Sequence, residues 1–190
     1  MRVIEVDQRE IQSKGGLLNK YPSAYIVATI IKEFNIKRIV DVTFGKGRFY
    51  RLCRRDIDYL VASDPVKWKW VTYPDEFYQM TAWQFYNALK KGRISFDNIE
   101  CVVVDPPQWS SNKYRKREEY GYLIGSPRLI IEYGIKTAKF LGCKYLFLHY
   151  NRQLQRDAIL YVVKYKWFAR YLYTEGKNVS YYILYDVEKL

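Results

Sequence analysis

Two short stretches of this chain combine residue types that can do chemistry. The first runs Ile39-Val40-Asp41-Val42-Thr43-Phe44-Gly45-Lys46-Gly47, an apolar strand-like segment entering a turn in which two glycines alternate. Glycine serves such a turn when the backbone bends sharply and a ligand approaches the peptide groups, because it has no Cβ and tolerates positive φ. The second runs Cys101-Val102-Val103-Val104-Asp105-Pro106-Pro107-Gln108-Trp109, a buried-type strand that ends directly in an acid, two prolines and an aromatic. Proline fixes φ and donates no backbone hydrogen bond, so the corner is stiff and turns carbonyl oxygens outward. An exocyclic amine would place its two hydrogens on the Asp105 carboxylate and the Pro106 carbonyl, drawing its lone pair out of conjugation. Positioning of that kind supplies much of a rate gain, and acceptors aligned with developing charge supply more. Trp109 offers a ring to a planar substrate, and base–aromatic stacking contributes on the order of 1–3 kcal/mol. A strand ending in Asp-Pro is also a common turn. The second proline and the nearby aromatic are what favour chemistry here.

Three nucleotide sites compete for the glycine turn. A P-loop needs GxxxxGK followed by Ser or Thr, which is absent. A dinucleotide fingerprint needs a third glycine, and Tyr50 stands three positions after Gly47. An S-adenosylmethionine site remains, since it rests no pyrophosphate on a helix end and accepts a bulkier residue there. Asp64 closes the next strand about 20 residues beyond the turn, where an acid commonly accepts ribose hydroxyls. The alternative is a structural turn followed by a helix-capping Asp.

The rest of the chain must position these residues. Its 190 residues fit one α/β domain, read as a single unit from 1 to 190, and 49% hydrophobic content is ample for one core. The alternation of helical and short apolar stretches points to a parallel sheet covered by helices. A helix is expected over 22–34, with Pro22 in its first turn and Ser23 as a cap. Strands are expected at 37–42, 59–63, 100–104, 144–149, 167–173 and 179–185, the last two forming a hairpin around Gly176. Further helices are expected around 47–55, opening at Thr81, and over 129–141 and 152–163. Residues 67–80 are aromatic and carry no clear period, and 110–128 reads as a polar loop or lid.

Net charge is +12, from 32 Lys and Arg against 20 Asp and Glu, which favours polyanionic partners. A charged, solubilising coat is the plainer account of that excess. Cys53, Cys101 and Cys143 lie far apart in no CxxC or Cys/His pattern, so neither a zinc site nor a disulfide framework is expected. The N-terminus is too polar for a signal peptide, and no apolar run approaches a membrane span. The reading is a soluble, cytoplasmic protein with no membrane partner.

Taken in order, the motifs resemble the class I S-adenosylmethionine-dependent methyltransferases, in particular the amino-methyltransferase branch with its [Asp/Asn/Ser]-Pro-Pro-aromatic motif. Asp41 to Gly47 stands where that family has Asp-Pro-Phe-x-Gly-x-Gly, Asp64 matches its ribose-binding acid, and Asp105 to Pro107 match its catalytic corner. The resemblance implies a Rossmann-like, doubly wound, mostly parallel seven-stranded sheet with an antiparallel C-terminal hairpin. It also implies S-adenosylmethionine as cofactor, held by Asp41, Thr43, Phe44, Gly45, Gly47 and Asp64, with Asp105, Pro106, Pro107 and Trp109 as the catalytic set. Lys20-Tyr21-Pro22 is similar to a segment that some members place near the methionine moiety.

The chain departs from the family pattern at three places. Gln108 separates the prolines from Trp109, which makes Gln108 itself a substrate-contacting candidate. The acid that often holds the adenine amine after the third strand is missing, and Thr81 or Trp83 occupies its region. These 190 residues leave no room for a separate target-recognition domain, so the 110–128 segment is the expected reader. Its Lys113, Tyr114, Arg115, Lys116 and Arg117, with Tyr120 and Tyr122, suit phosphate contact plus base stacking. The lone histidine, His149, ends the strand expected at 144–149 and could face the pocket, although a lone His is more often structural.

The expected activity is methylation of an exocyclic amino nitrogen of a nucleobase in DNA or RNA, by direct in-line displacement. A protein partner supplying target recognition fits the missing domain. Two other functions remain open: methylation of a protein glutamine, and an inactive methyltransferase fold serving as a nucleic-acid-binding or regulatory subunit. Cofactor affinity separates the inactive reading from the other two, and the identity of the labelled acceptor separates those.

Overall fold

The computed structural model describes residues 2–7, 21–107, 126–151, 156–175 and 178–190. Its strands are β1 (Arg2–Asp7), β2 (Arg38–Asp41), β3 (Tyr59–Ser63), β4 (Glu76–Tyr78), β5 (Cys101–Val104), β6 (Tyr145–Asn151), β7 (Trp167–Glu175) and β8 (Asn178–Asp186). Among the described residues four α-helices accompany them: α1 (Pro22–Glu33), α2 (Ala82–Lys90), α3 (Pro127–Phe140) and α4 (Arg156–Val162). All the strands join one sheet in the order β1-β7-β8-β6-β5-β2-β3-β4. Only β8 runs against its neighbours, antiparallel to both β6 and β7.

The central strands β2, β3, β5 and β6 are buried almost end to end because both faces of the sheet are covered. Successive side chains go to opposite faces. Ile39, Leu60, Cys101 and Phe147 join one cluster with Ile26, Val27, Ile30 and Ile31 of α1. Val40, Val61, Val102 and Leu146 join the other, with Phe85 and Leu89 of α2 and Ile130, Ile131 and Ile135 of α3. At Gly134 the backbone of α3 comes close to β5, so that an added Cβ would lie 2.4 Å from Val104 Cγ2.

The seven-stranded sheet with its antiparallel hairpin is present as β2 to β8. Beside it β1 adds an eighth strand, parallel to β7, with Arg2 opposite Ala169. The short β4 emerges from the aromatic stretch and pairs with β3. The helix expected near 47–55 is two 3-10 turns, Arg48–Leu52 and Arg54–Asp56. Ser23 does not cap α1, whose N-cap is Tyr21; its hydroxyl meets the Tyr182 hydroxyl instead, at 2.7 Å. Thr81 caps α2 in a capping box with Gln84. The start of α3 is two residues earlier than expected, because Ser126 accepts from Leu129 N–H and Pro127 fits a first helical turn. The last residues assigned to the loop therefore belong to that helix. Gly176 lies outside the described residues. No helix among the described residues is long and apolar enough to cross a membrane.

From β2 the chain goes outward to β3 and β4, then returns to β5 on the other side of β2. Strand order reverses between β2 and β5, and a crevice opens at their carboxyl ends.

Candidate active site

Both motifs stand at that reversal. Asp41 is the last residue of β2, and Asp105 follows β5 directly, with Asp41 level with Val103 across the pair. Thr43 ties the two strand ends together. Its N–H and hydroxyl both donate to Asp41 Oδ1, at 2.8 and 3.2 Å, and its hydroxyl oxygen accepts the Asp105 N–H at 2.6 Å. Tyr50 donates its hydroxyl to Asp41 Oδ2 at 2.8 Å. Burial pushes the Asp41 carboxyl up to about 7, against these donors, which pull it down.

The turn is held from the β3 side as well. Gly45 N–H donates to Asp64 Oδ2 at 3.0 Å, while Val66 N–H and Trp68 Nε1 donate to Oδ1 at 2.9 and 3.1 Å. Burial raises the Asp64 carboxyl, and the same three donors oppose the rise. Gly45 has φ +56°, and an added Cβ would meet nothing nearer than 3.9 Å, so the space before it is open. Gly47 differs: at φ +69° its Cβ would lie 2.7 Å from both Phe44 Cζ and the Thr72 carbonyl oxygen. Its lack of a side chain serves packing.

A cavity of about 560 Å³ opens over these strand ends. Asp41, Thr43, Phe44, Gly45, Asp64, Thr81, Asp105, Pro106 and Pro107 all line it, together with Tyr21 and Pro22. Gly47 does not. Gln108, Trp109, Lys113, Tyr114, Arg115, Lys116, Arg117, Tyr120 and Tyr122 lie outside the described residues. Trp83, the rival to Thr81, is 53% exposed and absent from the lining. Among the described residues no group of three metal-ligating side chains comes together.

Three further contributions belong to the lining, and of these only His149 was a pocket-facing candidate in the sequence. Trp68 reaches the cavity from the loop after Asp64, with Lys46 Nζ 5.6 Å from its ring centre. Lys46 and Arg48 bring positive charge to the wall. The third is His149, whose Nδ1 lies 2.7 Å from Asp105 Oδ1. A basic, tryptophan-rich run after an acid-terminated strand was the available signal for Trp68.

No protein-family model matches the sequence, and no curated protein does either. Solved structures do resemble it. The tRNA (uracil-54, C5)-methyltransferase of Pyrococcus abyssi, in complex with S-adenosyl-L-homocysteine, superposes with a TM-score of 0.55 at 14% identity, over 88% of this chain but 38% of that one. The N-methyltransferase NodS of Bradyrhizobium japonicum WM9 gives 0.53 at 9% identity, covering 88% of this chain and 93% of the other. The magnesium protoporphyrin IX methyltransferase of Synechocystis PCC 6803, with bound S-adenosylmethionine, gives 0.53 at 11%, covering 93% and 87%. The chain thus spans well under half of the tRNA enzyme and nearly all of NodS. It is built on the Rossmann-like fold that these methyltransferases share.

Proposed function

We propose that this protein is an S-adenosylmethionine-dependent methyltransferase that acts on an exocyclic amino nitrogen of a nucleobase in DNA or RNA. One observation carries the reading. The glycine turn and the Asp-Pro-Pro corner sit on adjacent parallel strands, are joined through the Thr43 hydroxyl, and face one cavity.

The residues present fit the cofactor. A cavity of about 560 Å³ falls within the range of roughly 300–1,000 Å³ common to small-molecule sites. Open space before Gly45 leaves room against the backbone, Asp64 offers a carboxylate at the end of β3, and Trp68 and Thr81 flank it. In this reading Thr43, Phe44, Gly45 and Asp64 hold the cofactor, while Asp41 and Gly47 shape the turn that presents them. When bound, S-adenosylmethionine supplies an electrophilic methyl group on a positively charged sulfur. Asp105 and the Pro106 carbonyl accept the amine hydrogens and hold the nitrogen at a fixed place, and Pro107 keeps the corner stiff. Gln108, Trp109, Lys113, Tyr114, Arg115 and Arg117 are assigned to the substrate, and Lys46 and Arg48 favour a polyanionic one. By their own names, the resembling structures include a tRNA methyltransferase and an N-methyltransferase. A protein partner that selects the target belongs to the same reading.

The test is transfer of tritiated methyl from S-adenosylmethionine to mixed DNA and RNA, with Asp105→Ala alongside. Wild type should label nucleic acid, and the variant should lose on the order of 100-fold or more. Undiminished counts with Asp105→Ala would remove the corner from the mechanism. Label appearing only in added protein would defeat the nucleobase assignment.

A further inference from the structure

Asp105 and His149 come from neighbouring strands β5 and β6, and their side chains meet at 2.7 Å, Nδ1 to Oδ1. The order of this pair decides what it can do. A histidine that takes a proton from substrate must turn its free nitrogen toward the reacting group. Here the arrangement is reversed. The Asp105 side chain is 33% exposed and that of His149 only 12%. His149 Nε2 is buried and has no hydrogen-bond partner among the described residues. Both side chains line the cavity, but the carboxylate is the more exposed of the two, and the imidazole's free nitrogen is the buried one.

The ring is clamped in that place. Tyr182 stacks on it with centroids 4.4 Å apart, and Phe49 meets it edge-on at 5.6 Å. Tyr182 is itself fixed by the Ser23 hydroxyl at 2.7 Å. A hydrogen on Nε2 would be a buried donor without an acceptor, which is costly, whereas a hydrogen on Nδ1 goes to a carboxylate. The tautomer that leaves least unsatisfied is therefore Nδ1–H.

We infer that His149 is a positioning residue: its Nδ1–H holds one oxygen of the Asp105 carboxylate and so aims the other at the acceptor amine. The inference rests on the role proposed above for Asp105. It makes the acid doubly restrained, by Thr43 through its backbone and by His149 through its side chain. Such outer contacts decide whether a reacting group is held or merely present.

The chain has one histidine, so ¹⁵N-histidine NMR reads its tautomer without ambiguity. Wild type should show a protonated Nδ1 and a bare Nε2, and Asp105→Ala should lose that preference. An Nε2–H tautomer in wild type would overturn the inference. In methyl transfer, His149→Phe keeps a ring against Tyr182 but removes the donor, and kcat should fall about 10- to 100-fold. KM for S-adenosylmethionine should stay within about twofold, since a purely positional loss acts on turnover. His149→Asn, whose amide can reach the place of Nδ1, should recover most of the rate. Wild-type turnover in His149→Phe, or an Asn variant no better than Phe, would refute the role. If His149→Phe does not fold, the wild-type tautomer and the Asn variant carry the test. Full activity in Asp105→Ala would instead condemn the underlying reading. An inactive Asp105→Ala beside an unaffected His149→Phe would condemn only the part given to His149.

Discussion

The Asp41 carboxylate receives the Thr43 N–H, the Thr43 hydroxyl and the Tyr50 hydroxyl, so it works on the protein's own turn. Burial nevertheless raises its carboxyl from 3.8 to about 7. A carboxyl that binds its proton more tightly when folded stabilises the fold fully below its unfolded pKa, and loses that stability as pH rises through the folded one. Wild-type stability should therefore decline between about pH 4 and pH 7 through this group. Asp41→Asn has no proton to lose there. Urea unfolding of both proteins across that window should give a gap that changes with pH, and parallel curves would show that Asp41 titrates normally. The acids themselves were legible in the sequence, since Asp41, Asp64 and Asp105 each close an apolar strand. Their partners were not. The contact of His149 with Asp105 spans 44 positions and depends on how β5 registers against β6, which no local pattern records. The Trp68 indole bonds only four residues from Asp64, yet the irregular loop between them has no period to place it.

Elements read well where burial is symmetrical and poorly where it is not. The runs of β5 and β6 are apolar because helices cover both faces, so they stand out in the sequence. Three-residue β4 is too short for any alternation to register, and its Phe77 meets Trp70 edge-on with ring centres 4.9 Å apart. In α3, a glycine in mid-helix looks like a fault, since Ala is favoured there by about 1 kcal/mol. The close approach to Val104 reverses that sign. A Cβ at 2.4 Å from a stiff valine methyl must push helix and strand apart. Overpacking of this kind costs about 1–3 kcal/mol. Gly134→Ala should lower stability in chemical denaturation, and should also reduce methyl transfer, because Val104 directly precedes Asp105. A variant more stable than wild type would show that the packing has slack.

Across the whole molecule, a net charge of +12 sets the long-range field, with Lys46 and Arg48 at the cavity and Lys67 and Lys69 exposed beside Trp68. If the substrate is a nucleic acid, its affinity should fall linearly with salt on logarithmic axes. The slope should be about 0.7 per phosphate contact for a single strand and about 0.9 for a duplex. Lys46→Ala or Arg48→Ala should flatten the slope by about one contact each, as read by fluorescence anisotropy over a salt series. A flat response would mean that the charge is a solubilising coat and the acceptor is not a polyanion.

Residues 2–7 of β1 are made long before 169–174, the residues with which they pair in the sheet. During synthesis they have no strand to join until β7 has emerged, and such distant pairings form slowly. The crevice draws its strand ends from residues between 38 and 149, all of which leave the ribosome earlier. The crevice side of the sheet can thus be assembled while its far border still waits for β1 and β7 to meet.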